Sequence, residues 1–183
     1  DYCAIHFGAA AAEKMAAIHL LSPAAYQYGL HIEPVSYGKF NSFVHMRVGQ
    51  FPAMGYSGLD HGREHMDFLH EIYLRCKPWQ NETFLYLHHG LNTAVRMQKL
   101  FEDARPLIAD QTLAAKTENA LEMTRQLIAT NISYVETAFA YFAYREKGTP
   151  AQRDSLANAL SRLVRTIEQF KAVPGYQYEL FGI

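Results

Sequence analysis

From about Asp60 onward the apolar residues of this chain recur in steps of four and three, and that period constrains the fold more than any other feature. Leu121, Ile128, Ile132, Val135, Phe139 and Phe142 mark one face of a stretch running from about Leu113 to Arg145, and Tyr134, Ala138 and Tyr141 widen it. Leu156, Leu160, Leu163, Ile167 and Phe170 repeat the pattern up to Pro174-Gly175. Upstream, Met66, Leu69, Ile72, Tyr73 and Cys76 share helical spacing and are closed by Lys77-Pro78. Phe84, Leu87, Leu91, Val95, Gln98 and Phe101 form a further face, which ends before Arg105-Pro106. Helices with one apolar side bury it against one another, so the pattern predicts an up-down bundle. The punctuation agrees. Gly148 fits a helix C-cap, while Thr149, Pro150 and Gln152 carry the signature of a capping box with proline in the first turn.

The front of the chain is different. Residues 9–21, AAAAEKMAAIHLL, predict a helix that stops at Ser22-Pro23, and Gly8 predicts the end of a short preceding element formed by Tyr2, Ile5, His6 and Phe7. From Gly29 to Gly62 the sequence is broken by glycines, with Pro34 and Pro52, and holds Tyr37, Phe40, Phe43, Phe51 and Tyr56. Disordered linkers are polar and poor in aromatics, so this composition predicts an ordered but irregular segment that buries its rings. The expected organisation is an N-terminal helix or the end of a preceding domain over 1–28, an irregular aromatic segment over 29–62, and a helical bundle over 63–183. The tail GYQYELFGI is apolar and aromatic, so it either docks back on the bundle or leads into further chain. The sequence opens at Asp1 rather than Met, which points to a processed chain or a part of something longer.

Charge narrows the functional classes. Lys plus Arg number 17 against 18 Asp plus Glu, a net charge of -1, with no polybasic arm to displace counterions from a nucleic acid. No apolar run approaches the roughly 18 residues of a membrane span, and no signal peptide is visible. The two cysteines, Cys3 and Cys76, match no metal knuckle and define no disulfide framework. One long-range bridge between them stays open at this level. No partner is expected among nucleic acids or membranes, and no cofactor is implied.

Each motif has a plainer competitor. His61 and His65 stand four apart and could share a metal ion, but HGREH lacks the general base of HExxH. His88 and His89 are adjacent and so point to different faces. Gly55-Tyr56-Ser57-Gly58-Leu59 fails as a nucleophile elbow because Leu59 stands where glycine is required. No glycine-rich phosphate cradle is present. The acceptor patterns for glycosylation at Asn81 and Asn131 fall in or at helices, and Asn81 is expected to cap its helix. Trp79 follows Pro78 and is expected to anchor packing. Glu33, beside His31, Tyr37 and Lys39, is a carboxylate set among aromatic rings, the arrangement by which glycosidases raise an acid's pKa and stack a sugar. That chemistry needs a second carboxylate, and only Asp60 follows Glu33 in the region. The competing reading pairs Glu33 with Lys39 or with local backbone.

Residues 1–22, DYCAIHFGAAAAEKMAAIHLLS, resemble a pattern in large bacterial carbohydrate-active enzymes, in which an aromatic-Gly-x-Ala-Ala string opens a helix late in or after the catalytic barrel. The helix pair from Lys116 to Arg145 and from Gln152 to Phe170 is similar to the helical C-terminal region of such proteins, glycoside hydrolases of the alpha-glucuronidase type among them. The resemblance implies a non-catalytic helical region of a polysaccharide-degrading glycoside hydrolase that supports or covers the substrate cleft. No catalytic motif of such enzymes occurs in these residues, and their acid and nucleophile would lie in a barrel this chain is too short to contain.

The sequence therefore predicts an all-α fold, a bundle of four or five helices with a long ordered aromatic and glycine-rich loop segment. The expected partners are the rest of a larger chain or further copies of this one, with carbohydrate as ligand. His31, Glu33 and Tyr37 are the expected substrate contacts, and no residue is assigned a catalytic role. Two alternatives remain open: a stand-alone helical domain for ligand binding or protein interaction, and a small metalloprotein built on His61 and His65.

Overall fold

The computed structural model describes residues 2–30 and 70–174, and in them the fold is all-α, with no strand among the described residues. The helices are α1 (Tyr2–Phe7), α2 (Ala12–Leu30), α3 (70–76), α4 (Gln80–Ala104), α5 (Gln111–Lys147) and α6 (Pro150–Lys171). Short 3-10 turns at Lys77–Trp79 and Arg105–Leu107, each holding a proline, join α3 to α4 and begin the descent from α4 to α5. The bundle expected from the 4-3 periodicity is what forms. The long loop segment expected within 29–62 lies, from residue 31 on, outside the described residues, as does the tail from 175 to 183.

Local signals set several helix ends. Gly8 sits at φ +89° and its N–H donates to Ala4 O at 3.1 Å, so the α1–α2 corner uses a conformation that side chains rarely adopt. Asp110 accepts from the N–H groups of Thr112 at 2.9 Å and Leu113 at 3.0 Å, capping α5. That helix is about 55 Å long at 1.5 Å per residue. It ends at left-handed Gly148, whose N–H donates to Tyr144 O at 2.8 Å. Thr149 and Gln152 then cap α6 reciprocally, as the sequence predicts.

Tertiary packing overrides local signals elsewhere. Helix α2 does not stop at Ser22-Pro23 but continues through Pro23 to Leu30. A proline inside a helix removes one ladder bond and costs about 3 kcal/mol. The turn beyond it buries Ala25, Gly29 and Leu30, and those contacts fix the continuation. Gly29 and Leu30 thus belong to a helix and not to the irregular segment. Asn81 does not cap α4: it lies inside the first turn, with Trp79 at the N-cap position and no side-chain cap. Trp79 is 54% exposed and anchors no core.

The core is one continuous cluster that runs from Cys3 and Phe7 through Met15, Leu87, Met97, Phe101 and Ile128 to Phe142. Helices α2 and α4 form its closest pair. The buried seam of α4 is Thr83, Leu87, Gly90, Thr93, Ala94, Met97, Phe101 and Ala104, so Leu87 and Phe101 of the expected face are retained. Leu91 and Val95 are only half-buried beside it, because α2 approaches over the small residues Gly90 and Ala94. A Cβ on Gly90 would run into the backbone N and Cα of Gly29, and one on Gly29 would stand 2.7–2.8 Å from Ile128 carbons. Two helices therefore meet backbone to backbone, with α5 closing over the contact.

Helix α6 folds back along α5. The link is polar as well as apolar: Thr130 Oγ1 donates to Thr166 O at 3.5 Å, and Arg162 to Glu136 at 3.2 Å. On α5, Ser133 and Thr137 continue the Thr130 face and are buried, with Thr137 Oγ1 donating to Ser133 O at 2.7 Å. On α6, Ala159 and Phe170 are buried while Leu160 and Val164 remain exposed, so the expected Leu156-to-Phe170 face is covered only in part.

Candidate functional site

The residues singled out by the sequence as substrate contacts (His31, Glu33, Tyr37) or metal ligands (His61, His65) all lie outside the described residues, as does Asp60. The structure does describe the two helix ends that border them, and both are fastened to α5. At the first border, Asn131 Nδ2 donates to Gly29 O at 2.9 Å across 102 positions of sequence. Gly29 stands in the last turn of α2, where carbonyls have lost their intrahelical partners, so Asn131 acts as a C-cap supplied from another helix. Asn131 is fully buried, and its Oδ1 has no partner among the described residues. Just before that border, Tyr28 stacks on Tyr86 at 5.8 Å and meets His89 edge-on at 4.9 Å.

At the second border, α3 is held by rings and charge. His70 stacks on Phe142 at 4.8 Å, and Tyr73 packs on both Phe139 and Phe142 at 5.3 Å. The Tyr73 hydroxyl donates to Glu146 Oε2 at 3.1 Å, and Lys77 Nζ binds both oxygens of the same carboxylate at 2.8 and 2.6 Å. Burial, followed by the Glu146 hydrogen bond, raises the Tyr73 phenol above its ordinary pKa, and the Lys77 ammonium holds the Glu146 carboxyl below its own. Next to them Cys76 is fully buried and its thiol is pushed up to about 11, an effect only partly offset by Thr83. A thiol that stays protonated at neutral pH is a packing residue and not a nucleophile. Both described cysteines are free, so the bridge left open by the sequence does not form.

A second polar cluster ties α4 to α5. Arg125 binds Glu122 through two bonds, at 2.9 and 2.6 Å, and Gln126 and Gln98 donate to the same carboxylate at 2.8 and 2.6 Å. The Arg125 hydrogen bond, aided by the two amides and opposed by burial, holds Glu122 down at about 2. A carboxylate with four donors stays ionised and is poorly suited to general acid work. His88 and His89 do part as adjacent helical residues must, His88 toward Glu136 at 3.8 Å and His89 onto Tyr28.

The described helices also enclose an open cleft of about 320 Å³, at the small end of ligand sites. Its floor is Phe7, Met15, Ile18, Met97 and Leu121, and its rim carries His19, Ser22, Lys116, Thr117 and Thr124. The rings of Tyr2 and Phe7 lie 5.8 and 6.3 Å from that of His19.

Among the described residues no group of three His, Cys, Asp or Glu side chains is placed to hold a metal ion, and no helix is long and apolar enough to cross a membrane. No family model, curated protein or solved structure matches the chain.

Sequence reasoning missed the Gly29–Gly90–Asn131 junction, whose members come from three helices, and the closing of Tyr73 and Lys77 onto Glu146 about 70 positions away. The Glu122 cluster left a partial signal, because Arg125 and Gln126 follow Glu122 at the helical spacings of three and four.

Proposed function

We propose that this chain is a non-catalytic helical region of a larger carbohydrate-active enzyme, supporting or covering the substrate cleft and carrying the segment 31–69 between two of its helices. The observation that carries this reading is the fastening of both borders of that segment to one helix. Leu30 follows the Gly29–Asn131 bond, and His70 rests on Phe142. Asn131 and Phe142 are separated by about 16 Å along α5. A helix that holds both flanking helix ends is a support, and a functional site depends on such a scaffold. The character of the described polar clusters favours the same role, since Glu122 and Glu146 are held ionised by cations and Cys76 is held protonated. The substrate class rests on the resemblance of residues 1–22 to carbohydrate-active enzymes. His31, Glu33 and Tyr37 are its substrate contacts in this reading.

Titration of the full chain with neutral and uronic acid-bearing oligosaccharides, followed by calorimetry, tests the proposal. Binding is expected, with a loss of tenfold or more in Tyr37→Ala and Glu33→Gln while thermal melting is unchanged. Failure to bind any oligosaccharide, or binding indifferent to both substitutions, overturns it.

A further inference from the structure

We infer that the cleft between α1, α2, α4 and the first half of α5 binds a small aliphatic carboxylate, with Lys116 meeting the carboxylate and Met15, Ile18, Met97 and Leu121 meeting the hydrocarbon. This site is separate from the support proposed above and independent of it.

Three features select that class. The floor is unbranched or branched aliphatic apart from Phe7, and two of its members are methionines, whose flexible thioethers adapt to a chain of variable shape. Two of the three hydroxyls on the wall are already engaged, and Ser22 supplies the third. Thr117 Oγ1 donates to Leu113 O at 2.8 Å and Thr124 Oγ1 to Ala120 O at 2.9 Å, so both donors face their own helix. A sugar needs many convergent donors and acceptors, which such a wall does not offer; a hydrocarbon does not need them. The third feature is charge. Three neighbouring cations are paired: Lys14 with Asp103 at 3.6 Å, Arg105 with Glu118 at 3.1 Å and Arg125 with Glu122 at 2.6 Å. Lys116, which lines the cleft, has no acidic partner among the described residues. One cation at the edge of an apolar cleft matches one anionic head on an apolar body.

The full chain labelled at its methionine methyl groups is titrated with octanoate, octanol and octylamine and followed by NMR. Octanoate should shift the Met15 and Met97 methyl signals saturably and bind about tenfold more tightly than octanol, with octylamine weaker still. Lys116→Met, at an exposed position, should lower octanoate affinity to that of octanol. Ala120→Leu adds bulk to the cleft wall at an exposed site and should abolish both. The inference is overturned if no ligand moves the two methyl signals, if octanoate binds no better than octanol, or if either variant binds octanoate as tightly as the parent chain.

Discussion

The α2–α4 crossing and the α5–α6 hairpin are both antiparallel helix contacts, yet they are specified in opposite ways. At the crossing the backbones of Gly29 and Gly90 touch, Ile128 covers them, and Asn131 caps α2 from another helix. Every part of that junction depends on residues far apart in sequence. The hairpin is set by residues within a few positions of one another: left-handed Gly148, then Thr149, Pro150 and Gln152. Its helix α6 keeps Leu160 at 47% and Val164 at 59% exposure. Long-range small-residue contact thus gives the tighter junction, and local capping gives a well-defined turn with a looser face.

The largest effect is expected at Gly90. Gly90→Val forces side-chain atoms into the Gly29 backbone, which has no flexible end to move aside. Overpacking of this kind costs about 3 kcal/mol or more, and urea unfolding should show it as a lowered midpoint. Asn131→Leu comes next. It removes the cap of Gly29 O and leaves that buried carbonyl unpaired, for a loss of about 1–3 kcal/mol. The loss is tempered because Asn131 Oδ1 has no partner among the described residues. Thr149→Ala should cost about 1 kcal/mol, with exchange of the first α6 amides rising more than that of α2. A Thr149→Ala effect equal to that of Gly90→Val would erase the distinction between the two junctions.

Acid provides a further test. The folded pKa of Glu122, about 2, lies below its unfolded value. Its contribution is therefore present above the unfolded carboxylate pKa and is lost as pH falls from that value toward about 2. Glu122→Gln should flatten the fall of stability with pH in that window. An unchanged slope would mean that the Arg125, Gln126 and Gln98 bonds do not act together on the carboxylate.

The same contrast explains what the sequence made legible. The hairpin was readable because glycine, threonine, proline and glutamine at those spacings have local physical roles. The all-α class and the long helices of the bundle were readable from the 4-3 periodicity. The course of α2 beyond Pro23 was not, since what carries it across the break is burial of Ala25, Gly29 and Leu30 against helices reached much later in the chain. The seam of α4 was displaced for a related reason: hydrophobic patterning favours Leu91 and Val95, whereas the closest approach selects Gly90 and Ala94. Asn131 read as a glycosylation pattern, and its role is visible only with Gly29 beside it. Of the candidate site, the substrate and metal positions lie outside the described residues, and the cleft is assembled from helix faces that no single segment announces.

Native-state hydrogen exchange under mild denaturant tests the central claim, that the Gly29–Gly90–Asn131 junction is the fixed point holding the first border of segment 31–69. Amides of Gly29, Gly90 and Asn131 are predicted to exchange only with global unfolding, at one common free energy, while mid-α6 amides open at a lower one. Exchange of the three junction amides through a smaller opening, with α6 equally or better protected, would contradict the account.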